Sequence, residues 1–326
     1  MIEEQTLFIL GAGASDCFGY PTGSKLNDDL ITELIRFDHT YISKGKGFFH
    51  DGEHIYDQSN LLRFSKIYKN SHPTLVDYFL AKNPEVIIKK IGIYGIALSL
   101  INAEVNHSSK TSYSFNKDNW FSILFNKMTS DILDVGSIDR FKLNKCSFLT
   151  FNYDRLLEQL FYEALTNNYG ITYTDVKNLM SGIKIIHTFG RLPLLPYEGA
   201  NSEEDSFQYG KEPSNLFIEK AIKSIITIHE RKNNLEEIDN AIMDAHRIFI
   251  LGFGFAEENM ELLNFKKNFT SHKDVNATTL GVSQKKREYI KGKYFPQFKT
   301  IEGDSRFMGI PNMPEISCKR LLEDYS

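Results

Sequence analysis

The sequence predicts an α/β fold: a Rossmann-like, doubly wound parallel sheet with a mainly helical insertion. Three observations predict it. Short apolar runs stop at glycine or polar residues, as Thr6–Leu10 does before Gly11 and Cys146–Thr150 before Asn152. Stretches of helical period follow those runs, the alternation expected of a sheet with helices on both faces. From residue 37 to residue 136 the alternation stops while helical periodicity persists. The expected organisation is therefore one domain over 1–326, with a nucleotide-binding core of 1–36 and 137–326 and an insertion of 37–136. In such sheets ligands sit outside the carboxyl ends of the strands, so polar groups at strand ends are the first place to look for chemistry.

Taken in order, Thr6–Leu10 predicts a strand running into Gly11 and Gly13, and Ser24–Arg36 a helix with Ser24 as its N-cap. Residues 37–60 are polar and irregular, where an ordinary dinucleotide fold would return to a second strand. Helical periodicity resumes over Leu61–Tyr68, Pro73–Lys82, Pro84–Asn106 and Asn119–Leu133, with a polar loop at 108–118. The strand pattern returns at Cys146–Thr150, followed by a helix over Tyr153–Asn168. Ile183–Ile186 predicts a strand ending at His187, and 191–215 a polar loop. Helices are expected over Leu216–Ile228 and Leu235–Ala245. Arg247–Leu251 predicts a strand ending in Gly252-Phe253-Gly254. A helix over Glu257–Phe265, a strand over Thr278–Val282, a helix over Gln284–Lys293 and a short strand over Lys299–Ile301 complete the expectation. The chain contains no internal repeat and no low-complexity tract.

Composition narrows the classes. A net charge of −4 over 326 residues leaves no polyanion-binding footprint. Lys89-Lys90 and Lys285-Lys286-Arg287 read as solvated helix faces, so no direct nucleic-acid partner is expected. The three cysteines, Cys17, Cys146 and Cys318, form no Cys-x-x-Cys clip, which excludes a zinc ribbon, and no metal is expected. A sparse, odd count suits a reducing cytosol. The N-terminus Met1-Ile-Glu-Glu-Gln is acidic and enters a strand at once, unlike a secretory signal. The apolar run Ile91–Ile101 falls short of the roughly 20 residues that span a bilayer. A soluble, cytoplasmic protein without a membrane partner is the expectation.

Several strand ends carry candidate chemistry. Gly11-Ala12-Gly13-Ala14-Ser15 reads either as a phosphate cradle, where small residues let backbone N–H groups approach a pyrophosphate, or as a tight strand-to-helix turn. It departs from G-x-G-x-x-G at Asp16, and no acidic residue closes a second strand about 20 residues on, as a hydride-transfer enzyme would want. Tyr20-Pro21-Thr22 is a rigid turn that can wall a pocket or simply precede a helix. The Asn152 amide can hold a ribose hydroxyl, a carboxamide or a water. Asp154 can cap the next helix or orient that amide. His187, with Gly190 three residues later, is a structural strand-end histidine or a site residue. Gly252-Phe253-Gly254, then Asn259, repeats the glycine turn. Ser283 borders a later strand end or caps a helix.

In this order the motifs resemble the SIR2-like (sirtuin-fold) family, and specifically its bacterial antiphage NADase branch. Gly11-Ala-Gly-Ala-Ser15 with Gly19-Tyr-Pro21 is similar to the family's first motif, and Thr150-Phe-Asn-Tyr-Asp154 to its Thr-x-Asn-Tyr-Asp motif. His187-Thr-Phe-Gly190 lies where the histidine–glycine motif falls. Gly252-Phe-Gly254 and Gly281-Val-Ser283 lie where the later nucleotide loops fall. His72-Pro-Thr-Leu-Val-Asp77-Tyr-Phe79 is similar to a helix of the inserted module in phage-defence members. Two departures stand out: the four-cysteine zinc module of sirtuin deacetylases is missing, and Phe189 occupies the position directly before the glycine where the family has its histidine. Because strand positions two apart face one side, His187 is expected to serve from one step deeper; the alternative is a weak site that only binds a nucleotide.

The resemblance implies hydrolysis of NAD+ to ADP-ribose and nicotinamide, with NAD+ as substrate and no metal. Asn152 would hold the water or ribose, His187 would engage a ribose hydroxyl or accept a proton late, and Asp154 would orient a neighbour. Gly11, Ala12, Gly13 and Ser15 would hold the pyrophosphate. It also implies a homo-oligomer, a separately encoded sensor protein, or both, as the control on an activity that would otherwise exhaust the host's NAD+.

Overall fold

The computed structural model describes residues 1–37, 58–109, 118–199, 206–211, 214–225, 235–268, 273–295 and 311–325. Its centre is a five-stranded sheet, every neighbouring pair parallel. The strands are β1 (Thr6–Leu10), β2 (Cys146–Thr150), β3 (Lys184–His187), β4 (Arg247–Leu251) and β5 (Asp274–Ala277), in the spatial order β3-β2-β1-β4-β5. From β1 the chain builds outward on one side through β2 and β3, then returns to β1's other edge with β4 and β5. The strand order therefore reverses beside β1, the place where open α/β sheets form a ligand crevice.

The register explains the core. Phe8 pairs with Phe148 on one side and Phe249 on the other. Their rings stack at 5.2 and 5.4 Å between centroids, a row of three across the middle of the sheet. β1 is buried at all five positions, as expected of a strand covered on both faces, whose sequence is continuously apolar.

Helices cover both faces of the sheet. The first segment carries α1 (Ala12–Asp16) and α2 (Gly23–Phe37), and the inserted stretch α3 (Gln58–Asn70), α4 (Val76–Lys82), α5 (Val86–Ser109) and α6 (Trp120–Met128). A 3-10 helix over Val135–Leu143 precedes β2, and α7 (Leu156–Tyr169) and α8 (Tyr173–Met180) precede β3. Then come α9 (Asn215–Ser224), α10 (Leu235–Asp244), α11 (Glu257–Leu263), α12 (Phe265–Asn268), α13 (Gln284–Tyr294) and α14 (Cys318–Tyr325).

α5 runs 24 residues, well beyond the Ile91–Ile101 stretch, and by length and composition it is apolar enough to cross a membrane. In the fold it is a core helix: 72% of its apolar window is buried within the protein, with α2, α4 and α9 packed on it. At Gly95 the approach of α2 is so close that a Cβ would lie 2.5 Å from the Leu30 side chain. α5 is also tied to the segment after β2. Arg155, 1% exposed, meets Glu104, 2% exposed, through paired bonds of 2.8 and 2.9 Å.

Several expectations shift. The last described strand is Asp274–Ala277, and Thr278–Val282 forms the turn that follows it. The polar alternation Asp274-Val-Asn-Ala hid the strand. Its outer edge is satisfied by Asn312, whose N–H donates to the Val275 carbonyl and whose carbonyl accepts from Ala277 N–H. β3 ends at His187 as expected and starts one residue later, at Lys184. The helix expected from Ser24 starts at Gly23, so Ser24 lies in its first turn, its hydroxyl 3.2 Å from Thr22 Oγ1. The helix expected from Tyr153 starts at Leu156, because Asn152–Arg155 is held in side-chain contacts. α8 was not anticipated, although Thr172 and Asp175 form a reciprocal capping box at its start. The strand expected at 299–301 lies outside the described residues, as do residues 38–57 and 110–117 of the insertion.

Candidate functional site

The turns after β1 and β4 meet backbone to backbone. Gly11 N–H donates to the Leu251 carbonyl (3.0 Å) and Gly13 N–H to the Gly252 carbonyl (2.9 Å). A Cβ on Gly11 would stand 2.6 Å, and one on Gly13 2.8 Å, from Gly252 O. Gly252 has φ +59°, and a Cβ there would fall 2.0 Å from Ala14 N. The glycines are thus required by strand-to-strand contact. This corrects the cradle reading: the Gly11 and Gly13 amides are used within the protein, and Ala14 N–H is bonded to the Gly11 carbonyl. Ala12 N–H is outside these bonds.

Behind that turn lies a short polar chain. Asp154 is buried, its Oδ1 accepting from Leu156 N–H (3.1 Å) and its Oδ2 from the Ser15 hydroxyl (3.0 Å). With its proton directed to Asp154, Ser15 Oγ accepts from Asn152 Nδ2 at 3.1 Å, and the same amide nitrogen donates to the Gly11 carbonyl at 3.2 Å. Both amide hydrogens are thereby used, which fixes the orientation of the Asn152 side chain. Its Oδ1 is buried and has no hydrogen-bond partner among the described residues. Such an orphan costs free energy unless a water or ligand donates to it. Asp154 therefore does both things foreseen for it: it caps the next helix's first turn and, through Ser15, orients the amide. Burial pushes its carboxyl up to about 6, against the lowering effect of the Leu156 and Ser15 bonds.

Above this chain a cleft of about 720 Å³ opens along the carboxyl ends of the strands, within the roughly 300–1,000 Å³ usual for small-molecule sites. The first glycine turn enters its lining through Gly11, Ala12 and Gly13, and Thr22 borders it. Asn152 lines it at the end of β2, and Gly252, Phe253, Gly254 and Asn259 line it after β4. Ser15 and Asp154 sit beneath Asn152, around a separate small cavity of about 10 Å³. Tyr20 is fully buried and bonds through its hydroxyl to Tyr209. Pro21 and Ser283 stand outside the cleft lining. Ser283 instead caps α13, accepting from Lys286 N–H.

His187 departs most from expectation. β3 ends at this residue, so the two-residue strand period does not carry through to Phe189. Phe189 lines the cleft, its ring 5.9 Å from Phe151 and 6.0 Å from Tyr153. His187 lies below the floor, with Nε2 2.7 Å from Glu158 Oε1 and Nδ1 3.3 Å from the Asn152 carbonyl. Arg191 Nη1 also reaches Glu158 Oε1 at 2.7 Å. Burial alone would raise the Glu158 carboxyl, but the adjacent His187 and Arg191 hold it below the ordinary carboxylate range. His187 and Gly190 line a second cavity, of about 580 Å³, at the β3 edge. The structure thus brings His187 to the backbone of Asn152 and not into the cleft.

Other cleft residues escaped the sequence reading. Asp77 and Tyr78 reach it from α4, Trp120 from the start of α6 and Lys286 from α13. Trp120 Nε1 donates to the Ala14 carbonyl (2.7 Å), bracing the glycine turn. The Lys285–Arg287 run is therefore not uniformly a solvated face, since Lys286 Nζ comes to 3.4 Å of the Gly254 carbonyl. For Asp77 and Tyr78 a signal was present: two polar-tipped residues between buried Val76 and Phe79 on a short helix. Among the described residues no cluster of three His, Cys, Asp or Glu side chains is arranged to hold a metal ion. No family model matches the sequence, and no curated protein matches it.

Proposed function

We propose that the chain is a SIR2-like NAD+ glycohydrolase, cleaving NAD+ to ADP-ribose and nicotinamide. The observation that carries this reading is the Asn152 amide at a strand end in the cleft, with both hydrogens committed and an unpartnered Oδ1. Such an oxygen is suited to accept from a ribose hydroxyl or from the attacking water, by a bond preorganised before the reaction begins. In the reaction the C1′–N1 bond breaks with its electron pair leaving on nicotinamide, which departs neutral and needs no general acid. Water oxygen then bonds C1′ of the oxocarbenium-like ribose (compare the sugar transition states of glycosidases), and its proton passes to solvent. The Ser15–Asp154 relay holds the amide, and His187 steadies the Asn152 carbonyl as a positioning residue. The dinucleotide would lie across the two glycine turns, with the pyrophosphate near Ala12 and the adenosine toward β5 and Lys286.

The resemblance adds a setting: the effector of a bacterial antiphage, abortive-infection system, gated by self-assembly or by a separately encoded sensor. The test is NAD+ measured in infected cells that carry the chain with its genomic neighbours. NAD+ should fall on infection with the intact chain and hold steady with Asn152→Ala. An equal fall with both would refute the assignment. A second reading, an NAD+- or ADP-ribose-binding regulatory subunit without turnover, is favoured by one observation: Phe189 walls the cleft while His187 is turned beneath it onto Glu158. Calorimetric binding with no nicotinamide release in any assembly would select that reading.

A further inference from the structure

The inserted helix α4 puts a carboxylate at the β2 end of the cleft. Asp77 stands in the first turn of α4 and lines the cleft. Its Oδ1 accepts from the hydroxyl of Tyr153 at 2.7 Å. Tyr153 directly follows Asn152, so the bond pins Asp77 to the segment that bears the candidate reacting amide. On the same side the cleft wall is aromatic. Phe151 meets Phe189 at 5.9 Å and Phe253 at 4.9 Å, both edge-on, and the Tyr153 ring lies 6.0 Å from Phe189.

A carboxylate beside aromatic rings is the surrounding a flat organic cation calls for: charge attraction from the one and stacking and cation–π contact from the others. Asp16 and Asp118 also line the cleft, but it is Asp77 that the Tyr153 hydroxyl bonds. Lys286 stands beside Gly254, in the turn after β4.

We propose that Asp77 is the specificity-determining residue for the charge of the ring bound at this end: it selects the cationic, oxidised nicotinamide over the neutral, reduced one. This rests on the reading of the cleft as an NAD+ site. It adds that discrimination comes from the inserted module and not from the core, so the insertion completes the site.

Calorimetric titration with NAD+ and with NADH tests it, on the full chain and on Asp77→Asn and Tyr153→Phe. Asn is isosteric with Asp and still accepts from Tyr153, and emission of the single tryptophan, Trp120, checks that each variant is folded. The intact chain should bind NAD+ about tenfold more tightly than NADH. Asp77→Asn should bring the two within about twofold, through weaker NAD+ binding at unchanged NADH binding. Tyr153→Phe, which keeps the charge and removes the bond from the Tyr153 hydroxyl, should fall between. An unchanged ratio in Asp77→Asn, or no preference in the intact chain, overturns the proposal while leaving the NAD+ site standing. Failure of the intact chain to bind either nucleotide overturns both.

Discussion

Removing the carboxylate of Glu104 should cost about 3–5 kcal/mol of folding stability, the range for breaking a buried ion pair from one side. The structure puts this pair within that regime. Arg155 is 1% and Glu104 2% exposed, and they share two bonds of 2.8 and 2.9 Å. In Glu104→Ala the guanidinium stays buried with only neutral acceptors: the carbonyls of Pro193 (2.9 Å), Leu194 (3.3 Å), Phe207 (2.7 Å) and Gln208 (3.1 Å). Those carbonyls also decide what an apolar replacement does. Swapping a buried pair for hydrophobic residues is often neutral, but Arg155→Met with Glu104→Leu would leave these acceptors without their donor, at about 1–3 kcal/mol for each left unsatisfied. The double variant should therefore remain at least about 2 kcal/mol below the intact chain. Urea unfolding followed by Trp120 emission measures both. A loss under about 1 kcal/mol in Glu104→Ala, or full recovery in the double variant, would refute this account of how α5 is fastened to the site segment.

Gly252→Ala forces a left-handed backbone onto a Cβ residue, at about 1–2 kcal/mol, and drives that atom to 2.0 Å from Ala14 N. Its Tm should fall clearly, while Gly254→Ala, with nothing within 4 Å, should leave Tm nearly unchanged; equal effects would show that the glycine turns do not need their close contact. Asp154 makes a pH prediction. Its folded value of about 6 lies above the ordinary 3.8, so its stabilising contribution is full below about pH 4 and is lost as pH rises through 6. The loss amounts to ~3 kcal/mol at 1.36 kcal/mol per unit. Asp154→Asn keeps an acceptor for Leu156 N–H and escapes this loss, so urea midpoints of the two proteins should diverge in the variant's favour between pH 4 and 8; parallel curves would contradict it.

How much was legible depended on whether the signal was local. β1, β2 and β4 are mostly apolar runs because both faces of the sheet are covered, and such runs announce themselves. β5 is Asp274-Val-Asn-Ala, whose pairing with Asn312 lies 36 residues downstream, and no window of sequence contains that. The glycines of the first turn were recognisable as a phosphate cradle or a tight turn, but the contact that requires them comes from Gly252, 241 residues from Gly11. Asn152 and Asp154 were legible as a pair, but the Ser15 hydroxyl that joins them arrives from 137 residues away in sequence. His187 could be placed at a strand end, but where the strand stops decides which way it faces. Asp77 meets Tyr153 across 76 residues and an inserted module, so its part in the cleft emerges only once the chain is folded.

The most direct measurement is release of free nicotinamide from NAD+ by the purified chain, alone and assembled with its partners, beside Asn152→Ala. The intact chain in its active assembly should release stoichiometric nicotinamide and ADP-ribose, and the variant should lose at least about a hundredfold, the scale for removing a preorganised transition-state contact. Undiminished release by Asn152→Ala would contradict the assignment.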